Sequence, residues 1–213
     1  MIQHAAATEA WHHARVKVRL VAVAYALVAT LAGGLAVVFC EGRVFSHPAP
    51  WLVLDASTSL VASLVLGLAF TAVVVATTRV FVSRFGWADR LASDLRPFAK
   101  GLERGDVVLL AALSSLGEEL LFRSLLLPLI GLTLSSLLFG VVHQVRGPAR
   151  WAWAIWAGVV GLGLGAIFAL TGSLVGSLVA HAAINGLNLA WLRAKEPVRR
   201  RRPLGGLFHT ARR

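Results

Sequence analysis

Apolar runs long enough to cross a bilayer, each closed by a short polar segment, leave this chain few ways to fold. A spanning helix needs about 20 apolar residues. Six stretches read that way, at residues 19–40, 51–82, 106–130, 132–145, 151–170 and 173–192. The expected fold is all-α, a polytopic transmembrane helix bundle of about six spans. The stretch 51–82 is too long for one straight crossing, so it tilts, kinks or continues past the interface. The stretch 132–145 is short, which makes it a half-span or a helix shielded by its neighbours. With 57% hydrophobic and 15% charged residues, the 213-residue chain lacks the polar shell of a soluble domain.

The formal net charge is +11, yet its distribution argues against nucleic acid as partner. Basic residues flank the apolar runs: Arg15, Lys17 and Arg19; then Arg84, Arg90, Arg96, Lys100 and Arg104; then Arg146 and Arg150; and finally Arg199–Arg202. The alternate connections carry Arg43 alone. An even number of spans gathers every basic segment on one side, the cytoplasm by the positive-inside rule. The expected location is the plasma (inner) membrane with both termini cytoplasmic. Three regions follow: N-terminal membrane helices with a cytoplasmic or interfacial linker over 1–105, a core over 106–192, and a basic cytoplasmic tail over 193–213.

The segment 83–105 mixes charges with Phe85, Trp87, Leu91, Leu95 and Phe98. It reads equally as an amphipathic surface helix broken by Pro97 or as a solvated loop. Cys40 is the only cysteine, which rules out an intrachain disulfide and a Cys-based zinc site. Phe39 precedes it where a lipoprotein signal would have a small residue, so the first run is expected to be a retained anchor. Gly158, Gly161, Gly165, Gly172 and Gly176 give small-residue spacing for close backbone approach in the last two helices.

Against this background Glu118, Glu119 and Arg123 are costly, about 2.5–3.5 kcal/mol each at a bilayer centre, and such groups mark function. Glu119 and Arg123 are an i,i+4 pair on one face. Glu118 is rotated by about 100°, so one carboxylate is paired while the other is free to work. Two later spans add Phe139 with His143, and His181 with Asn185, each pair one turn apart. Together they offer a general base, imidazoles that hold water or move protons, and an amide donor for an oxyanion. There is no His-Glu-x-x-His sequence and no Gly-x-Ser-x-Gly elbow. A His₂Glu zinc site at Glu118, His143 and His181 is the alternative to a metal-free centre, since the spacing does not decide between them.

In order and in successive spans, Glu118-Glu119-x-x-x-Arg123, Phe139-x-x-x-His143 and His181-x-x-x-Asn185 resemble the pattern of the CPBP family of intramembrane proteases. That family includes the type II CAAX prenyl endopeptidases and many bacterial Abi-type proteins. The resemblance covers 106–192, and Ser124 stands where the family commonly has glycine. It implies a glutamate-dependent endopeptidase without a cofactor, in which Glu118 activates a water and His143 positions or deprotonates it. His181 and Asn185 stabilise the oxyanion, and Glu119 with Arg123 orients the site. The implied partners are the lipid bilayer and a membrane-associated peptide or protein. The other reading is a non-catalytic scaffold or transport component that uses the polar cluster for packing or proton movement. Neither the substrate nor the oligomeric state can be read from the sequence.

Overall fold

The computed structural model describes residues 2–145 and 147–194, with side chains from Val16 onward except that of Lys17. The expectations for Arg146 and for the tail arginines, like those for the Arg15 and Lys17 side chains, lie outside the described residues. Within them the chain is helical, with no strand beyond an isolated bridge between Ser46 and Ser173. The helices are α1 (Ile2–Phe39), α2 (Ala56–Arg84), α3 (Gly86–Lys100), α4 (Arg104–Glu119), a π-helical segment (Leu120–Leu126), α5 (Leu127–Val142), α6 (Arg150–Thr171) and α7 (Leu174–Ala194).

Five helical runs are long and apolar enough to cross a membrane: Val18–Phe39, Ala56–Arg84, Arg104–Val142, Arg150–Thr171 and Leu174–Ala194. The third, at 39 residues, makes two crossings. Gly131 has φ 81° and ψ 164°, outside the helical region. Beyond it the Ser135 hydroxyl donates to the Phe122 carbonyl at 2.7 Å, although 13 residues of straight helix would separate them by about 20 Å. The chain therefore reverses at Gly131, a conformation that glycine adopts without a Cβ penalty. Six crossings result, and the protein is an integral, multi-pass membrane protein. Its outer surface fits that setting: Leu20, Leu31, Val38, Val65, Leu137 and Ile155 are all exposed.

The two ends of the bundle follow from contacts. The α1–α2 loop hydrogen bonds to the α6–α7 turn, His47 N–H to the Gly172 carbonyl at 2.9 Å and Leu174 N–H to the Phe45 carbonyl at 3.0 Å. At the opposite end Val18, Leu102, Val107 and Leu110 cluster with Leu189. Arg84, Arg90, Arg96, Lys100 and Arg104 lie on this second end with α3. On the first end Arg43 pairs with Glu41 at 3.9 Å.

Lipid offers no hydrophobic drive between helices, so contact relies on small residues. The glycines of α6 and α7 serve other partners than each other. A Cβ on Gly176 would come within 1.9 Å of the Ser63 carbonyl oxygen in α2, and one on Gly158 would face Ser136 and Gly140 of α5. Segment 83–105 folds into α3 as an unbroken helix that buries Leu91, Ala92, Arg96 and Ala99. Pro97 stands on its exposed face in the last turn, so the expected break does not occur. There the carbonyl released by the missing N–H faces outward, which helices tolerate.

Candidate active site

The charged cluster sits where α4 gives way to the π-helical segment, directly after Glu119. A π turn inserts an extra residue and re-aims the side chains that follow; such turns often mark functional positions. The carbonyl of Phe122 accepts both from Leu127 N–H, closing the wide turn, and from the Ser135 hydroxyl of the returning helix. The hairpin and the π turn thus fix one another.

Arg123 is buried at 2% exposure and Glu119 at 0%. The guanidinium meets Glu119 Oε1 through Nη1 at 3.1 Å and donates from Nη2 to the Gly161 carbonyl at 3.0 Å. Its third face lies 4.5 Å over the Phe139 ring. The cation is thereby matched by a carboxylate, a carbonyl and an aromatic face, which is what burial of an arginine requires. Gly161 makes this possible, because a Cβ there would stand 2.8 Å from the Phe139 ring.

Glu119 has a second partner. His181 Nδ1 donates to its Oε1 at 2.7 Å, and the carboxylate accepts only, so Nδ1 carries a proton in the neutral and the charged ring alike, and Nε2 points away. His143 is held the same way, its Nδ1 donating to the Phe139 carbonyl at 2.7 Å. Both Nε2 atoms converge on Glu118 Oε2, at 3.4 Å from His143 and 3.6 Å from His181. Those separations exceed a formed hydrogen bond. Oε2 is buried without a hydrogen-bond partner among the described residues. The structure therefore separates the adjacent glutamates: Glu119 is locked between Arg123 and His181, while Glu118 presents an oxygen to two orienting imidazoles.

His143 poses a depth problem, since its helix nears the end of the bundle while Glu118 and His181 are deep. The answer is twofold. The helix stops at Val142, three residues before the expected 145, with His143 as its C-cap. Side chains on a helix lean toward its N-terminus, and the His143 ring lies back over Phe139, with centroids 4.2 Å apart. That tilt returns Nε2 to the level of Glu118.

Asn185, one turn beyond His181, donates from Nδ2 to the Ser114 hydroxyl of α4 at 3.1 Å. Two contributors escaped the sequence reading. Ser114 is one, and the other is Tyr25 of α1, whose hydroxyl lies beside Glu118. A lone tyrosine in an apolar span carries no spacing signal; only the close approach of α1 and α4 at Gly117 reveals it, where a Cβ would lie 3.0 Å from the Tyr25 carbonyl oxygen. A cavity of about 310 Å³ opens beside these groups, reaching Tyr25, Ser114 and Asn185 and extending toward the end of the bundle that holds α3. Phe81, Trp87, Trp153, Trp156 and Trp191 give it aromatic walls. No group of three His, Cys, Asp or Glu among the described residues is arranged to hold a metal ion.

Residues 103–187 match a protein-family model, the type II CAAX prenyl endopeptidase Rce1-like family. The match begins at the cap of α4 and encloses every charged group of the cluster. At the family level it implies a protease of the membrane. No curated protein and no solved structure matches the chain.

Proposed function

We propose, from the prenyl endopeptidase match over residues 103–187, that this protein is an intramembrane glutamate-dependent endopeptidase that hydrolyses a peptide bond of a membrane-associated peptide or protein. The observation that carries the reading is the convergence of two Nδ1-anchored imidazoles on the buried, unbonded Oε2 of Glu118.

In this reading Glu118 Oε2 takes a proton from a water held by His143 Nε2, and the oxygen attacks the scissile carbonyl carbon. The carbonyl oxygen becomes an oxyanion facing the Asn185 amide and His181, which enters the step as an imidazolium carrying protons on both Nδ1 and Nε2. Glu119 balances the charge of that imidazolium, and Arg123 holds Glu119. As the tetrahedral intermediate collapses, the C–N bond breaks and Glu118 returns its proton to the leaving amine. Fixed donors in a water-poor site stabilise such charge more than water does. The centre works without a metal, and the basic end of the bundle faces the cytoplasm, placing both termini there.

The test is a cleavage assay on the purified protein with a prenylated CAAX reporter and an unprenylated copy, the products located by mass spectrometry. Wild type is expected to cut a single bond, and Glu118→Gln, His143→Ala and His181→Ala to lose about 10²–10⁴-fold in rate. Full activity in all three variants would refute the site. A strong chelator is expected to leave wild-type turnover unchanged; loss that zinc restores would overturn the metal-free centre.

A further inference from the structure

A groove on the outer face of the bundle lies apart from the reacting groups. Its volume is about 480 Å³, and it follows the seam between α4 and α7. Ala111 and Ala112 line it from α4, and Ala182, Gly186 and Ala190 from α7. Val108, on the same wall, is 69% exposed, so the groove faces lipid. Packing of the two helices on each other does not use up these small residues. A Cβ on Gly186 would meet the Ala111 Cβ at 3.6 Å, an ordinary contact. The missing side chains leave a furrow instead.

Two cations stand at one end of it. Arg104 begins α4 and Arg193 lies in the last turn of α7; both line the groove and both are exposed. Neither has an ion pair among the described residues. The acids beside Arg104, Glu103 and Asp106, serve the reciprocal cap of α4. Ala182 and Arg193 lie three turns apart on α7, about 16 Å. That is the depth of one leaflet, half of a hydrocarbon core of about 30 Å. The matching occupant carries an anion at the interface and an apolar chain one leaflet long. Basic pockets between membrane helices take acidic headgroups in this way. A second copy of the chain fits worse, because a two-fold axis along the membrane normal would set Arg104 and Arg193 of both copies against each other.

We infer that the α4–α7 groove binds one anionic phospholipid, its phosphate paired with Arg104 and Arg193 and an acyl chain lying over Ala182, Gly186 and Ala190. The lipid bridges the two helices that carry Glu119 and His181, whose 2.7 Å hydrogen bond crosses the same seam. Its binding does not depend on the reaction assigned to the site.

The test mixes purified protein in neutral detergent with equal amounts of phosphatidylglycerol and phosphatidylcholine of matched chains, and reads bound lipid by native mass spectrometry. Wild type is expected to retain one phosphatidylglycerol with a preference of roughly tenfold or more, from two cations near the headgroup. Its thermal midpoint is expected to rise with occupancy, as for any ligand of the folded state. Arg104→Gln with Arg193→Gln is expected to lose the preference. Ala190→Phe fills the furrow from an exposed position, keeps both charges, and is expected to lose the lipid. Arg84→Gln with Arg90→Gln removes the same charge from exposed positions at the same end and is expected to keep it. Equal loss in that control would reduce the effect to the overall charge of this end and refute the site, as would selective retention in the Arg104 and Arg193 variant. Glycerol phosphate, a headgroup without chains, is expected not to compete. Competition at the concentration of the lipid would make this a site for a soluble anion and overturn the proposal. A dimer that Ala190→Phe dissociates would give the groove to a second copy and overturn it too.

Discussion

Two neighbouring carboxylates sit in opposite environments. Glu119 touches Arg123 and His181, and Glu118 touches neither at hydrogen-bond distance. Removing Arg123 leaves Glu119 buried without its cation, a change that costs about 3–5 kcal/mol in comparable buried pairs. Arg123→Leu is therefore expected to lower the thermal midpoint in detergent sharply and to lose activity with it; an unchanged midpoint would contradict the role. This division is legible in the sequence, because adjacent helix positions point about 100° apart and positions four apart share a face. The second partner of Glu119 is not. That His181 bonds to Glu119 through Nδ1 depends on how α7 docks against α4, and no spacing within either helix encodes it. Tyr25 was illegible for the same reason, since a single hydroxyl in an apolar run has no periodic signature.

At the scale of helices, the site depends on a hairpin and on close contacts through glycine. The Gly131 reversal brings Phe139 and His143 back alongside the π turn, and Gly161 makes room for the Phe139 ring. Gly161→Val is expected to displace Phe139 and, with it, the carbonyl that anchors His143, lowering kcat more than stability. A variant with unaltered turnover would contradict that coupling. Gly176→Val meets the Ser63 backbone, which cannot rotate aside as a flexible side chain could. It is expected to separate α2 from α7 and abolish folded protein on size exclusion. The sequence showed both small-residue faces but not their partners, because spacing records that a helix is narrow and not what approaches it. Likewise Pro97 reads as a breaker in one dimension; only the docked α3 shows it on the exposed side.

Across the whole molecule, the span count turns on whether 104–142 crosses once or twice. Hydropathy alone makes it one 39-residue run; the polar turn signal is a single glycine, which is why the sequence division at residue 131 needed the short stretch after it to be taken as its own helix. Six crossings place residue 144 on the same side as residue 83 and opposite residue 46. In a Cys40→Ala background, Ser46→Cys is expected to react with an impermeant thiol reagent from outside intact cells. Ser83→Cys and Gln144→Cys are expected to react only after permeabilisation. Labelling of Gln144→Cys from outside would return the count to five and break the site apart, because His143 reaches Glu118 only if α5 comes back.

The central claim is that the two glutamates do different work, and it is tested most directly by Glu118→Gln and Glu119→Gln measured side by side for turnover and thermal midpoint. Glu118→Gln is expected to keep the wild-type midpoint within a few degrees while its cleavage rate falls by about 10²-fold or more. Glu119→Gln is expected to lower the midpoint, because Arg123 is left buried without a charged partner. A Glu118→Gln enzyme that cleaves at the wild-type rate, or a reversal in which Glu118 carries stability and Glu119 does not, would contradict the account.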